Sequence, residues 1–342
     1  MRKLWVAVMI GLSVVVVNGL ALASPYRVLQ TAKVGGEGGF DYVYADEGGR
    51  TLYVPRSGTS GRITVFNLDS LKPLGEISNT SAHGVVVSPK SNHGFSTSQP
   101  IVMWDAKTLT VIKTIKVSGS PDGLLYDSFN DHVYIFSHQA PNVTVLDAVN
   151  GSIVGTIDLG GAPEQAATDA RGRIYVDIED QNKVAVIDVA TLAVVADYSL
   201  DNKGGTCAGL SLDAKNDILF VACRNPATMV VLNAKNGQVL TSLPIGQDND
   251  GVVFNPNTLE AISSQADGTL TVIKEASPTS FQVEQTLTTM PGAKTLTLDA
   301  QTNRLFLITA EFSLPPATAQ TGQRVRHGPM IAGSFAILVV GK

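Results

Sequence analysis

From residue 26 onward the chain is a succession of short apolar runs, rich in Val, Ile and Leu and broken by Gly, Asn, Asp and Pro. Such runs, bounded by turn residues, read as β-strands. Seven of them alternate toward the same kind of corner, ITVFN67, IVMWD105, VTVLD147, VAVID188, MVVLN233, LTVIK274 and FAILV339. The first six corners lie 38, 42, 41, 45 and 41 residues apart. A spacing near ~41 is the period of one four-stranded propeller blade. The seventh corner follows 65 residues after the sixth. An insertion of about 20 residues would account for that excess, and residues 310–334 have its composition.

Each unit repeats one order: a Gly-rich approach, a first strand such as HGVVVSP (83–89), a second such as HVYIFS (132–137), the corner strand, and a fourth such as GSIVGTIDL (151–159). No amphipathic helix longer than a turn or two interrupts it. After FAILVVGK the chain stops short of a fourth strand, whereas YRVLQTAKVGG (26–36) has the form of a fourth strand without a unit before it. The expectation is an all-β, seven-bladed β-propeller over residues 24–342, its ring closed by the N-terminal strand completing the last blade.

The stretch IYVDIEDQNKVAVIDVATLAVVADYSL (174–200) resembles the YVTN repeat of YncE-like propellers, and LYVPRSGTSGRITVFNLDSLKPLGEI (52–77) is a looser copy. The resemblance spans the whole chain after residue 24. It implies the propeller fold and, for function, the binding and envelope-associated roles found in that family. Its motifs specify no reaction.

Composition narrows the setting. Arg2 and Lys3 precede an apolar run at 4–17 and the small residues Ala21-Leu22-Ala23, the layout of a secretory signal peptide over residues 1–23. The expected location is therefore periplasmic or secreted, with no stable membrane insertion after cleavage. A net charge of −5, from 25 basic and 30 acidic residues, speaks against nucleic acid as a partner. With two cysteines in the chain, a hairpin turning at residues 213–217 sets Leu212 opposite Ile218 and Cys207 opposite Cys223, within disulfide reach. An oxidising compartment favours that bond.

Superposing the unit approaches places one residue per blade at the mouth of the central channel: Asp41, His83, Asp122, Glu164, Cys207, Asp250 and Ala293, the last followed by Lys294. Asp41, His83, Asp122, Glu164, Asp250 and Lys294 are the candidate ligand-binding set. Carboxylates with an imidazole suit a divalent metal, for which Asp122 and Glu164 are the candidate ligands, and His83 is the candidate catalytic acid or base. The plainer alternative is turn chemistry, since Asp122-Gly123 and Asp250-Gly251 are common turn pairs, around a solvent-filled channel. The second set of loops adds Arg56, His138, Glu179, Asp180, Arg224 and Asp267 to the same face, and the insertion adds Arg324, Arg326 and His327.

Two functions remain open. The first is a binding or scaffold propeller recognising a protein, glycan or small ligand on its loop face. The other is a metal-dependent hydrolase or lyase, lactonase-like, at the channel mouth. The second requires at least three of the mouth residues to point at one spot. The sequence contains no Gly-x-Ser-x-Gly elbow, Cys-x-x-Cys pair or His-Glu-x-x-His motif.

Overall fold

The computed structural model describes residues 25–313 and 328–342. The signal segment at 1–23 and Arg324, Arg326 and His327 of the insertion lie outside them. Among the described residues the regular structure is 28 strands in seven antiparallel sheets of four, and no helix is long and apolar enough to cross a membrane. Blades one to six open with strands Tyr44–Asp46, Val85–Ser88, Pro121–Asp127, Pro163–Thr168, Cys207–Asp213 and Asn249–Asn255, and the seventh with Leu296–Asp299.

Six blades are continuous in sequence. The seventh takes three strands from the C-terminal end and its outer strand, Arg27–Lys33, from the N-terminal end, pairing Arg27 with Gly341 and Lys33 with Ala336. This leaves the ring without an unpaired end, the arrangement that closed repeats use to avoid edge-to-edge association.

The apolar core is not one body but seven, each a cluster shared by two neighbouring blades. Val54 and Leu52 of the first blade meet Phe306 and Ile337 of the seventh, Phe136 and Val145 of the third meet Ile174 and Val176 of the fourth, and the pattern runs around the ring. Consequently the two middle strands of a blade are buried on both faces, as in His132–Ser137 and Val143–Asp147. The alternation expected of the corner strands is absent there for that reason. It survives in outer strands such as Ala193–Ser199, where only one face is covered.

The corners are hydrogen-bonded turns. The Asp105 carboxylate accepts from the backbone N–H groups of Lys107 and Thr108, and Asp188 does the same for Ala190 and Thr191. Each turn then needs a left-handed residue, met by Leu109 and Leu192 at φ 59° and 51° and by Gly151 at 66°. The sixth blade has Lys274 at the corner, with no oxygen to accept. There the strands run on as Thr269–Ser277 and Ser280–Thr288, a longer hairpin than the sequence suggests.

A charged ring at the channel mouth

Four of the seven innermost strands carry a β-bulge near their start. Two residues oppose one between Pro121 and Leu124 and between Pro163 and Ala166, and one extra residue stands unopposed between Cys207 and Gly209 and between Asn249 and Gly251. The bulged residues are Asp122 with Gly123, Glu164 with Gln165, Ala208, and Asp250. A bulge re-aims a side chain out of the alternating register, and here it turns three acids toward the channel axis. Gly123 and Gly251 are therefore not turn residues; both lie in strands with φ outside the left-handed region. They permit close approach: a Cβ at Gly123 would stand 3.0 Å from the Glu164 carbonyl oxygen, and one at Gly251 3.1 Å from Leu296 Cδ2.

The side chains so aimed form one chain of contacts in which every blade takes part. From the seventh blade, Lys294 Nζ reaches Asp41 Oδ1 of the first at 3.2 Å, and Asp41 Oδ2 stands 3.3 Å from His83 Nδ1 of the second. The same nitrogen lies 3.2 Å from Asp122 Oδ1, and the other oxygen of Asp122 is 3.6 Å from His138 Nε2, itself 3.6 Å from Glu164 Oε1 of the fourth blade. In the other direction Lys294 pairs with Asp250 of the sixth blade, Asp250 with Arg224 of the fifth, and Arg224 Nη1 with Glu179 Oε1 of the fourth at 2.6 Å. These contacts run from Glu164 around all seven blades and return to the fourth at Glu179.

Beside Glu164 lies a further acid. Asp177, on the strand opposite the Glu164-Gln165 bulge, is fully buried and neither of its oxygens has a hydrogen-bond partner. Burial pushes its carboxyl well above the usual range. Burial, followed by the charges of Asp177, Asp250 and Glu179, pushes the Glu164 carboxyl up to about 10, so that it keeps its proton at neutral pH. Burial and the neighbouring Asp41 charge raise Asp122 as well. Across the ring the balance reverses. Burial opposes ionisation of Asp41, but its hydrogen bond to His83 and the charge of Lys294 outweigh that and hold it low. The bond to Asp41 raises His83. Burial disfavours the charge on Lys294, yet Asp250 and Asp41 overcome it and hold the ammonium firmly protonated.

Tyr42 and Gln165 make the floor. Tyr42 donates its backbone N–H to the His83 carbonyl at 3.1 Å, and burial, then the charges of Asp122 and Glu164, raise its phenol. Gln165 Oε1 accepts from the N–H groups of Leu210 at 2.9 Å and Val252 at 3.0 Å, spanning from the fourth blade to the fifth and sixth. Tyr42, Glu164 and Gln165 all line a cavity of about 280 Å³ that continues down the channel. At the rim, His83 and His138 are 48% and 42% exposed.

All six members of the candidate set, Asp41, His83, Asp122, Glu164, Asp250 and Lys294, meet in this ring. Of the second set, His138, Glu179 and Arg224 join them, and three do not. Arg56 is buried with its guanidinium 3.7 Å above the Phe335 ring, donating to the carbonyls of Gly36 and Gly38. Asp180 accepts from Ala162 N–H and Asp267 from Gln247 N–H, both local loop bonds. Of the other two aligned positions, Ala293 is buried in the last inter-blade cluster and Cys207 is bonded to Cys223. Near its turn the Cys207 hairpin is one residue out of the expected register, Leu212 facing Leu219 and Asp213 facing Ile218. The bulge at Ala208 takes up the difference and brings the two cysteines opposite each other.

Tyr42 and Asp177 were not among the expected residues. Asp177 had a signal, a lone acid inside the apolar run IYVDI, at a position where both strand faces are covered. The base of the 310–334 insertion sits beside the ring, its Phe312 ring 6.4 Å from that of Phe40, the residue before Asp41.

No family model matches the sequence, and no curated protein matches it. Solved structures do. The WD40 repeats of RRP9 superpose with a TM-score of 0.72 at 12% identity, covering 92% of this chain and 97% of that one. U3-55K gives 0.70 at 13% identity over 92% and 98%. Hydrazine synthase of Kuenenia stuttgartiensis gives 0.67 at 13% over 78% and 91%. Likeness at this identity is likeness of fold, and together with the seven closed sheets it makes this chain a seven-bladed β-propeller.

Proposed function

We propose that this chain is an exported propeller of the YVTN-repeat kind that takes a small hydrophilic ligand at its channel mouth. The observation that carries the reading is the convergence of side chains from all seven blades on one axial ring. Here six carboxyls, those of Asp41, Asp122, Glu164, Asp177, Glu179 and Asp250, stand with two fixed cations, Arg224 and Lys294, and burial with mutual repulsion pushes Asp122, Glu164 and Asp177 toward the protonated form. A ligand carrying positive charge or rich in hydrogen-bond donors relieves that repulsion and lets these acids ionise. Because the groups surround one spot rather than spread over a surface, they suit a small molecule better than a protein or an extended glycan. Residues 1–23 and the Cys207–Cys223 bond support export to the periplasm or beyond.

The test is a thermal-shift and native mass-spectrometry screen with amines, polyols and amino sugars, run both in chelator and with added Zn²⁺. Ligands of this site stabilise the wild type and lose their effect in Asp122→Asn but not in the outer-loop control Asp158→Asn. Equal stabilisation of all three proteins would place the binding elsewhere and sink the reading. A second reading, a metal-dependent hydrolase or lyase, is favoured by His138 standing between Asp122 and Glu164 with part of its ring open to solvent. A panel of lactones and esters tests it, turnover lost in His138→Gln being the supporting result and no turnover the opposing one.

A further inference from the structure

We infer that Asp122 Oδ2, His138 Nε2 and Glu164 Oε1 form a site for one divalent transition-metal ion, with a coordination position open to the channel mouth. The inference rests on the reading of that mouth as the working site. His138 Nε2 is 3.6 Å from each of the two oxygens, and all three donor atoms lie within 4.8 Å of one another. At 3.6 Å these pairs are too long to be hydrogen bonds. Three ligands about 2.1 Å from a common ion at tetrahedral angles stand about 3.4 Å apart. The trio therefore has the spacing of a coordination shell and lacks the spacing of a bonded network.

The neighbours fit the same assignment. His83 Nδ1 holds the other oxygen of Asp122 at 3.2 Å, leaving Oδ2 directed to His138, the kind of outer support that orients a metal-binding carboxylate. Asp177, fully buried and without a partner on either oxygen, lies across the strand pair from the Glu164 bulge. The alternative trio, Asp41, His83 and Asp122, is closed. Its nitrogen already stands at hydrogen-bond distance from both acids, and Asp41 receives Lys294 at 3.2 Å. One imidazole with two carboxylates selects Zn²⁺ or Mn²⁺ over Ca²⁺ and Mg²⁺, which take oxygen alone.

The experiment strips the full chain with a chelator and titrates it calorimetrically with Zn²⁺, Mn²⁺ and Ca²⁺. The expected result is one ion per chain, with Zn²⁺ and Mn²⁺ ahead of Ca²⁺. His138→Gln should weaken Zn²⁺ binding at least about 100-fold, in line with the loss of a ligand. No stoichiometric uptake, or wild-type affinity in His138→Gln, overturns the assignment. Should a variant fail to fold by circular dichroism, Cu²⁺-loaded wild type decides: nitrogen hyperfine coupling in its electron paramagnetic resonance spectrum supports the site, and a purely oxygen-ligated spectrum overturns it. Ligand binding that persists in chelator while no ion binds removes the metal and leaves the proposed function standing. Loss of both removes the mouth as a site.

Discussion

Tyr26 donates its hydroxyl to Glu260 Oε2 at 2.8 Å across 234 residues of sequence, and Lys342 reaches Oε1 of the same buried carboxylate at 2.6 Å. The two ends of the described chain are thus clasped on one side chain of the sixth blade. Tyr26 is held further by its backbone, which exchanges two hydrogen bonds with the Gln285 amide, each of 2.8 Å. The closing strand is locked to the blade beside it as well as to the one it completes.

Tyr26→Phe removes a buried hydrogen bond to a carboxylate while keeping the ring. The expected loss is about 2 kcal/mol. Urea denaturation measures it, and an unchanged midpoint would show that the clasp does not hold the closure.

The Cys207–Cys223 bond closes a loop of 16 residues within the first hairpin of the fifth blade. Chain-entropy arguments give such a loop about 3 kcal/mol. Reduction, or the double Cys→Ser variant, should lower the denaturation midpoint accordingly, with the larger effect seen under oxidising conditions for the wild type alone.

Glu275 supplies a pH dependence away from the ring. It is buried, one of its oxygens has no partner, and burial, then the nearby Asp213 charge, against the opposing Asn216 hydrogen bond, push its carboxyl up to about 7. Its folded value lies above the ordinary 4.5, so the folded state favours the protonated form. The resulting stability is present below pH 4.5 and is lost as the pH rises through about 7. Glu275→Gln should therefore leave the protein similar at pH 5 and more stable than wild type at pH 8.5. Parallel stability profiles for the two proteins would contradict this.

Gly123→Ala tests the close approach at the bulge. The new methyl meets the Glu164 carbonyl at 3.0 Å, backbone that cannot swing aside. Overpacking of this kind costs about 1–3 kcal/mol. Displacement of Glu164 should also weaken whatever binds at the mouth, while Gly172→Ala, where the nearest atoms belong to the Phe129 ring at 3.8 Å and the glycine has φ 117°, should affect stability without touching the mouth.

The fold was legible in the sequence because its strongest signals are local. A corner such as Asp105 or Asp188 carries its own turn bonds, and it recurs once per repeat at the end of an apolar strand. The six ring residues were legible for a related reason: five stand at the same place in their repeats, and Lys294 follows that place in the seventh. What the repeat did not reveal depends on pairing across strands. The bulges that aim Asp122, Glu164 and Asp250 leave no mark in composition, and the one at Ala208 moved the register of the cysteine hairpin. Arg56 looked like a loop cation of the mouth, yet the ring of Phe335, distant in sequence, captures it.

The bulge has one more consequence. Its geometry is fixed by backbone pairing, so the side chain it presents bears little of the sheet's stability. The four bulges are then a set of sockets whose contents can be exchanged singly while the frame stays the same. Acid occupies three of the four bulged sockets and alanine the fourth, Ala208. Exchanging one of those three acids for a donor or a cation is the smallest change by which this scaffold would acquire a different specificity.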